Sequence, residues 1–259
     1  MSDLNNVQLI LIGLIFIWSG FVRSGLGFGG AVLSLPFLLL VHNDPLLFLP
    51  IIAVHLVFFS IWITLSSVKN KKKTKHNNSI SPDWKYLKKA ISIMIIPKLL
   101  GVFGLITFPA KIMSSFVFTI VLIYSLGFIF NKPLKSKNKW IESIMLALGG
   151  YVSGASLTGA PLIIPIFATN VRKNQLRSTL FALWLFLVIL KLISFIIFNV
   201  DLQLIHHLWL FPCAVVGHYF GNKLHKYFLK KEDNTFFRIL GLTLLFVSLI
   251  GLLNQYLIF

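Results

Sequence analysis

Four basic residues stand where an apolar segment leaves little room for charge. Lys98 lies in the middle of segment 86–107, and Lys191 lies past the middle of segment 178–198. His55 is central in 45–67, and Arg23 immediately precedes a run of glycines. A lysine near the centre of a membrane helix costs at least about 2.5–3.5 kcal/mol on insertion scales, so it normally faces a cavity or a partner. The seven acidic residues, Asp3, Asp44, Asp83, Glu142, Asp201, Glu232 and Asp233, all fall in loops or near segment ends. Interior cations without interior counter-charges suit an anionic ligand. Arginine can grip an oxyanion with two parallel hydrogen bonds, and His55 can hydrogen-bond or titrate near neutral pH. Each has a plainer alternative. The lysine stems can snorkel to the interface, Arg23 can anchor at a lipid head group, and His55 can simply pack between helices.

A second constellation is a repeated pattern. Ser24-Gly-Leu-Gly-Phe-Gly-Gly-Ala-Val-Leu-Ser-Leu-Pro36 returns 129 positions later as Ser153-Gly-Ala-Ser-Leu-Thr-Gly-Ala-Pro-Leu-Ile-Ile-Pro165. Ser24/Ser153, Gly25/Gly154, Gly30/Gly159, Ala31/Ala160, Leu33/Leu162 and Pro36/Pro165 coincide without a gap. Glycine and proline break helices, and backbone groups freed inside a bilayer must face protein or a polar cavity. A helix beginning at such a bend points its positive end at it, and two such ends would make an anion site. Paired interrupted segments in corresponding positions are the best sequence pointer to a transporter's binding site. The expected site therefore comprises Arg23, Ser24, Gly27, Gly29, Gly30, His55 and Lys98 with Ser153, Ser156, Thr158, Gly159 and Lys191. Small residues spaced like Gly25 and Gly29, or Gly217 and Gly221, can also serve only to pack helices.

The elements that must position these residues are membrane helices. The 259 residues are 57% hydrophobic and 12% charged, about half the charge of an ordinary soluble domain. Apolar segments at 7–41, 45–67, 86–107, 111–130, 140–170, 178–198, 203–222 and 238–257 recur along the chain. The fold expected is an all-α integral membrane protein, a polytopic helical bundle. Residues 7–22 read as a retained span rather than a leader, since no basic n-region or small-residue cleavage site accompanies them.

The net charge of +17 does not point to nucleic acid, because 20 of the 24 lysines and arginines lie in loops 68–89, 131–139, 171–177 and 222–238. Such loops are cytoplasmic and meet anionic lipid head groups. The connections around Asn43, Pro109 and Asp201 contain only Lys111 and are therefore placed outside. Segments 7–41 and 140–170 are too long for one crossing and carry the two motifs, so each is a hairpin folded at its glycines. The positive-inside rule makes the halves antiparallel, an inverted-topology repeat of residues 1–134 and 135–259, with both termini outside.

Gly20-Phe-Val-Arg-Ser-Gly-Leu-Gly-Phe-Gly-Gly-Ala-Val-Leu-Ser-Leu-Pro36 resembles the first signature of the TauE/SafE sulfite-exporter-like permeases, and the second copy resembles their second signature. Pro97-Lys-Leu-Leu-Gly101 through Pro109 resembles their third-segment pattern. Here Ser156 and Thr158 replace the glycines equivalent to Gly27 and Gly29. The resemblance implies a plasma-membrane permease for small anions, sulfur-containing or organic acids, with no cofactor.

The expected function is secondary transport of a small anion by alternating access. No nucleophile–base set, paired carboxylates or phosphate-binding loop appears in the sequence, which argues against an enzyme. The single cysteine, Cys213, excludes an internal disulfide and a cysteine metal cluster. His206, His207 and His218 have no acidic or cysteine companion at ligand spacing, and no metal site is expected. Two rivals remain: an anion channel using the same buried positive groups through a continuous pore, and an assembly partner acting through loop 68–84.

Overall fold

A computed structural model describes residues 4–26, 30–71, 81–130, 138–228 and 234–257. Those residues form ten α-helices and one short 3-10 turn, with no strand among them. In order they are α1 (Asn6–Leu26), α2 (Gly30–Val41), α3 (Pro45–Lys71), α4 (Trp84–Thr107), α5 (Ala110–Phe130), α6 (Lys139–Ser156), α7 (Ala160–Asn170), α8 (Lys173–Ile197), α9 (His207–Phe228) and α10 (Asn234–Leu257). The 3-10 turn Leu204–His206 leads into α9. Five of these helices, α1, α3, α4, α5 and α8, are long and apolar enough to cross a membrane. Helices α2 and α7 are shorter and apolar, with 12 and 11 residues. The protein is thus a polytopic helical membrane protein.

The helices follow from the sequence with few special devices. Asp83 and Asn138 cap α4 and α6 by accepting from the Tyr86 and Trp140 amides. Pro36, Pro50, Pro97, Pro165 and Pro212 sit inside helices, as membrane bundles tolerate. One face of α4 presents Ile96, Leu100 and Phe103 outward, and α1 does the same with Val7, Ile10 and Leu14. Apolar surface of that extent belongs against lipid rather than water. The other faces close a core around Phe16, Phe48, Ile51, Ile52, Val117, Phe118 and Phe195.

Both long apolar segments fold back on themselves. In the first, α1 and α2 lie side by side: the Gln8 side chain donates to the Val41 carbonyl at 3.0 Å and the Trp18 indole to the Leu33 carbonyl at 3.2 Å. In the second, α6 and α7 are joined through Leu157, Thr158 and Gly159. Each hairpin therefore starts and finishes at one end of the bundle. For α1 and α2 that end also carries the Asn43–Gln255 hydrogen bond, 2.9 Å, at the finish of α10. For α6 and α7 it is the opposite end, where Tyr86 and Lys89 at the start of α4 each meet Glu142 at 2.8 Å. There the Gln175 amide also donates to the Ser81 carbonyl, and the Asp83 amide to the Thr179 hydroxyl. The three chain segments entering α4, α6 and α8 are thus gathered at one end.

Helices α1 and α9 cross in close contact, and α4 and α6 do likewise. Within the same order, α5 packs on α10 and α3 on α8. Exchanging the first five helices with the last five turns the α1–α9 contact into α6–α4 and leaves α5–α10 and α3–α8 in place. Glycine makes the two crossings possible. A Cβ on Gly217 of α9 would overlap the Ile17 carbonyl of α1, and one on Gly154 of α6 would overlap the Lys98 carbonyl of α4. Backbones approach this closely only where the side chain is absent.

Some boundaries differ from the sequence reading. Helix α8 begins at Lys173, so the basic run 171–177 is largely its first turn; α9 continues to Phe228 and α3 to Lys71. Polar residues extend these helices because propensity and the hydrogen-bond ladder do not stop where hydropathy does. Lys75, Lys132, Lys135, Lys137, Lys230 and Lys231 lie outside the described residues.

Candidate functional site

At the second bend, α6 ends at Ser156 and Leu157 turns the chain with φ 60° and ψ 11°. That left-handed conformation is uncommon for a residue with a side chain, and the Leu157 side chain is held nearly buried there. Ser156 and Thr158 share a hydroxyl–hydroxyl hydrogen bond of 2.5 Å, and Ser156 also donates to the Val152 carbonyl at 3.0 Å. Both are fully buried. Gly159 caps α7, and a Cβ on it would strike the Gly149 carbonyl, so the start of α7 is pressed onto α6.

Two lysines from other helices reach this bend. Lys98 of α4 donates to the Ser153 hydroxyl at 3.1 Å and to the Ser153 carbonyl at 3.3 Å. Lys191 of α8 donates to the Gly154 carbonyl at 2.6 Å, and its ammonium lies 5.4 Å from the Phe195 ring centre. Both lysines are wholly inaccessible to solvent. Neither snorkels; both point into the bundle. The carbonyls they bind are on the last turn of α6, at the negative end of its dipole, and the Ser153 carbonyl also accepts the Leu157 amide at 3.1 Å.

At the first bend, Arg23 lies one turn before the end of α1, next to the first residue of α2. A Cβ on Gly30 would stand 3.0 Å from the Arg23 Nε. The Arg23 Nη2 donates to the Ser19 hydroxyl at 3.3 Å, and the guanidinium lies 5.0 Å from the Phe59 ring centre. Its Nε and Nη1 have no hydrogen-bond partner among the described residues, although Arg23 is buried. Ser34 of α2 donates to the Gly30 carbonyl and to Ser19, tying the hairpin together beside the guanidinium.

His55 of α3 is fully buried, and neither ring nitrogen has a hydrogen-bond partner among the described residues. Its ring packs edge-on against Phe16, Phe211 and His207 at centroid distances of 5.3, 5.6 and 5.1 Å. Ser24 hydrogen-bonds to Nδ1 of His218 on α9. The His218 ring lies 5.0 Å from the Phe59 ring, and its Nε2 meets the Asn222 amide at 2.9 Å.

The expected residues thus gather in two groups. Arg23, Ser24 and Gly30 lie around the first bend, and His55 lies nearer the start of α9, packed on Phe16, Phe211 and His207. Lys98, Ser153, Ser156, Thr158, Gly159 and Lys191 lie around the second. Gly27 and Gly29 lie outside the described residues.

One contact escaped the sequence reading, which weighed His218 only as a metal ligand. His218 meets Ser24 as Lys98 meets Ser153, each from the helix that crosses the motif-bearing helix. The repeat offset marked the serines, but histidine opposite lysine gave no identity to align. Among the described residues no group of three or more His, Cys, Asp or Glu could hold a metal. The described ion pair, Lys89–Glu142 at 2.8 Å, sits at the end of the bundle, away from both bends.

Two cavities lie elsewhere. One of about 300 Å³ is lined by Leu39, Asn43, Lys111 and Gln255 at the end shared by α2 and α10. The other, about 340 Å³, is an apolar groove between α4 and α8 lined by Ile96, Leu100 and Phe198. Neither is lined by the residues of the two bends.

A protein-family model described as Sulfite exporter TauE/SafE matches residues 11–252, nearly the whole chain. No curated protein and no solved structure matches it.

Proposed function

The chain belongs to the TauE/SafE sulfite exporter family, and from that premise we propose that it is a secondary transporter moving a sulfite-like oxyanion, another organosulfur anion or a short organic acid by alternating access. One observation carries this reading. Arg23, Lys98 and Lys191 are buried beside the two helix bends and His55 is buried within the bundle, and the described carboxylates lie at the helix ends. A membrane interior holding cations without counter-charges is expensive to build. A bound anion would offset that cost.

The two bends belong to inverted halves, residues 1–134 and 135–259, that rock about a shared site. Supporting this are the hairpins that open toward opposite ends of the bundle and the helix contacts that persist when the halves are exchanged. Arg23, Ser24, Gly27, Gly29, Gly30 and His55 would line the site from the first half. Lys98, Ser153, Ser156, Thr158, Gly159 and Lys191 would line it from the second. The basic end faces the cytoplasm, and both termini face outward across the cell membrane.

The discriminating experiment is flux in proteoliposomes. Labelled sulfite entering faster when the lumen holds unlabelled sulfite marks a carrier, because the loaded site returns faster than the empty one. Single-channel currents without such stimulation would replace the carrier with an anion channel.

A further inference from the structure

The cations at the two bends are not equivalent. Lys98 and Lys191 already donate to carbonyl or hydroxyl oxygens of Ser153 and Gly154. Arg23 has one such partner, the Ser19 hydroxyl on Nη2, and His55 has none: Nε and Nη1 of the arginine and both ring nitrogens of the histidine are buried without any among the described residues. Unpaired polar atoms in a protein interior are costly and call for a specific reason. Here they share one neighbourhood. The guanidinium packs on Phe59, Phe59 stacks on Phe211 at 5.7 Å, and Phe211 packs on His55. Beside the guanidinium begins α2, a 12-residue helix, whose N-terminal end carries the positive pole of its dipole.

We propose that the oxyanion subsite lies in the first half, where Arg23 binds the substrate's oxygens, with His55 donating a hydrogen bond, while Lys98 and Lys191 hold the second bend in shape. The inference rests on the anion-transport reading and divides its site into a binding half and a positioning half. Arginine suits the first role because its donors form a flat fork matched to an oxyanion. Lysine suits the second because a compact ammonium can cap the carbonyls at a helix C-terminus.

The test is calorimetric titration of the purified full chain with sulfite, thiosulfate and acetate, using whichever binds tightest. Arg23→Gln is expected to weaken binding by about tenfold or more, the fold-change of a lost hydrogen bond to a charged group. Arg23→Lys recovers part of it. Lys98→Met and Lys191→Met are expected to weaken binding by less than Arg23→Gln does, because their ammonium groups are already bonded to protein.

Thermal unfolding without ligand adds a readout that a merely structural arginine would move the other way. Arg23→Gln is expected to match or exceed the parent, since a buried unpaired charge has gone. If Arg23→Gln does not fold, His55→Phe carries the test: it keeps the ring contacts with Phe16 and Phe211 and should weaken binding by about threefold or more. Equal losses from Lys98→Met and Arg23→Gln would overturn the division, as would unchanged binding in both Arg23→Gln and His55→Phe. If the parent binds none of the three anions while Lys98→Met and Arg23→Gln fold as it does, the transport reading falls and this inference with it.

Discussion

Lys98 joins two roles in one residue. Its carbonyl is the surface on which Gly154 packs, and its side chain returns to Ser153 on the same facing helix. Lys98→Met removes a charge whose insertion costs about 2.5–3.5 kcal/mol, but it also leaves Ser153 on the last turn of α6 without its lysine donor, while Lys191 still holds Gly154. Expression and folding should survive. The maximal rate of sulfite flux should fall while the half-saturating concentration stays close to that of the parent. A raised half-saturating concentration with an unchanged maximal rate would mean that Lys98 binds substrate directly. That Lys98 and Lys191 sit inside the bundle was legible in the sequence, because charge inside an apolar run is conspicuous. What they touch was not, because Ser153 is 55 positions from Lys98 and Gly154 is 37 from Lys191. The pairing of Ser24 with His218, 194 positions apart, is a fact of packing in the same way.

At the scale of elements, the bends were legible and one of their mechanisms was not. Glycine and proline spacing located both hairpins, yet the residue that turns the second one is Leu157, a branched side chain in left-handed geometry. Its side chain stays nearly buried in the core, and packing overrides the backbone preference. The crossings of α1 with α9 and α4 with α6 depend on glycines whose added methyl would meet backbone, which cannot swing aside. Gly154→Ala and Gly217→Ala should each destabilise the protein by about 1–3 kcal/mol. Gly127→Ala on α5, where nothing lies within 4 Å, should be neutral or slightly stabilising. Thermal unfolding in detergent compares the three. Equal stability of Gly154→Ala and Gly127→Ala would mean that the α4–α6 backbones are not in contact.

For the whole molecule, the sequence and the structure order the chain in compatible ways. The lysine-rich loops were assigned to one side by charge alone, and the starts of α4, α6 and α8 meet at one end of the bundle through Glu142, Gln175 and Thr179. Hydropathy could not supply this, since it sees segments one at a time. With Cys213 replaced by serine, single cysteines at Asn43 and Asn174 should react with impermeant reagents from opposite faces of the membrane, Asn43 from outside. Labelling of both from the same face would break the inverted arrangement.

Alternating exposure of the bends is the centre of the functional reading, and Ser156 is the place to measure it. Its hydroxyl is fully buried beside Thr158, and cysteine replaces it at nearly equal size. In the same Cys213→Ser background, Ser156→Cys is expected to react with an impermeant maleimide slowly from either face, with a bound alkanesulfonate, which unlike sulfite does not itself add to maleimide, protecting it from both. Reaction from one face alone, at a rate that the sulfonate leaves unchanged, would contradict a central site that opens to each side in turn.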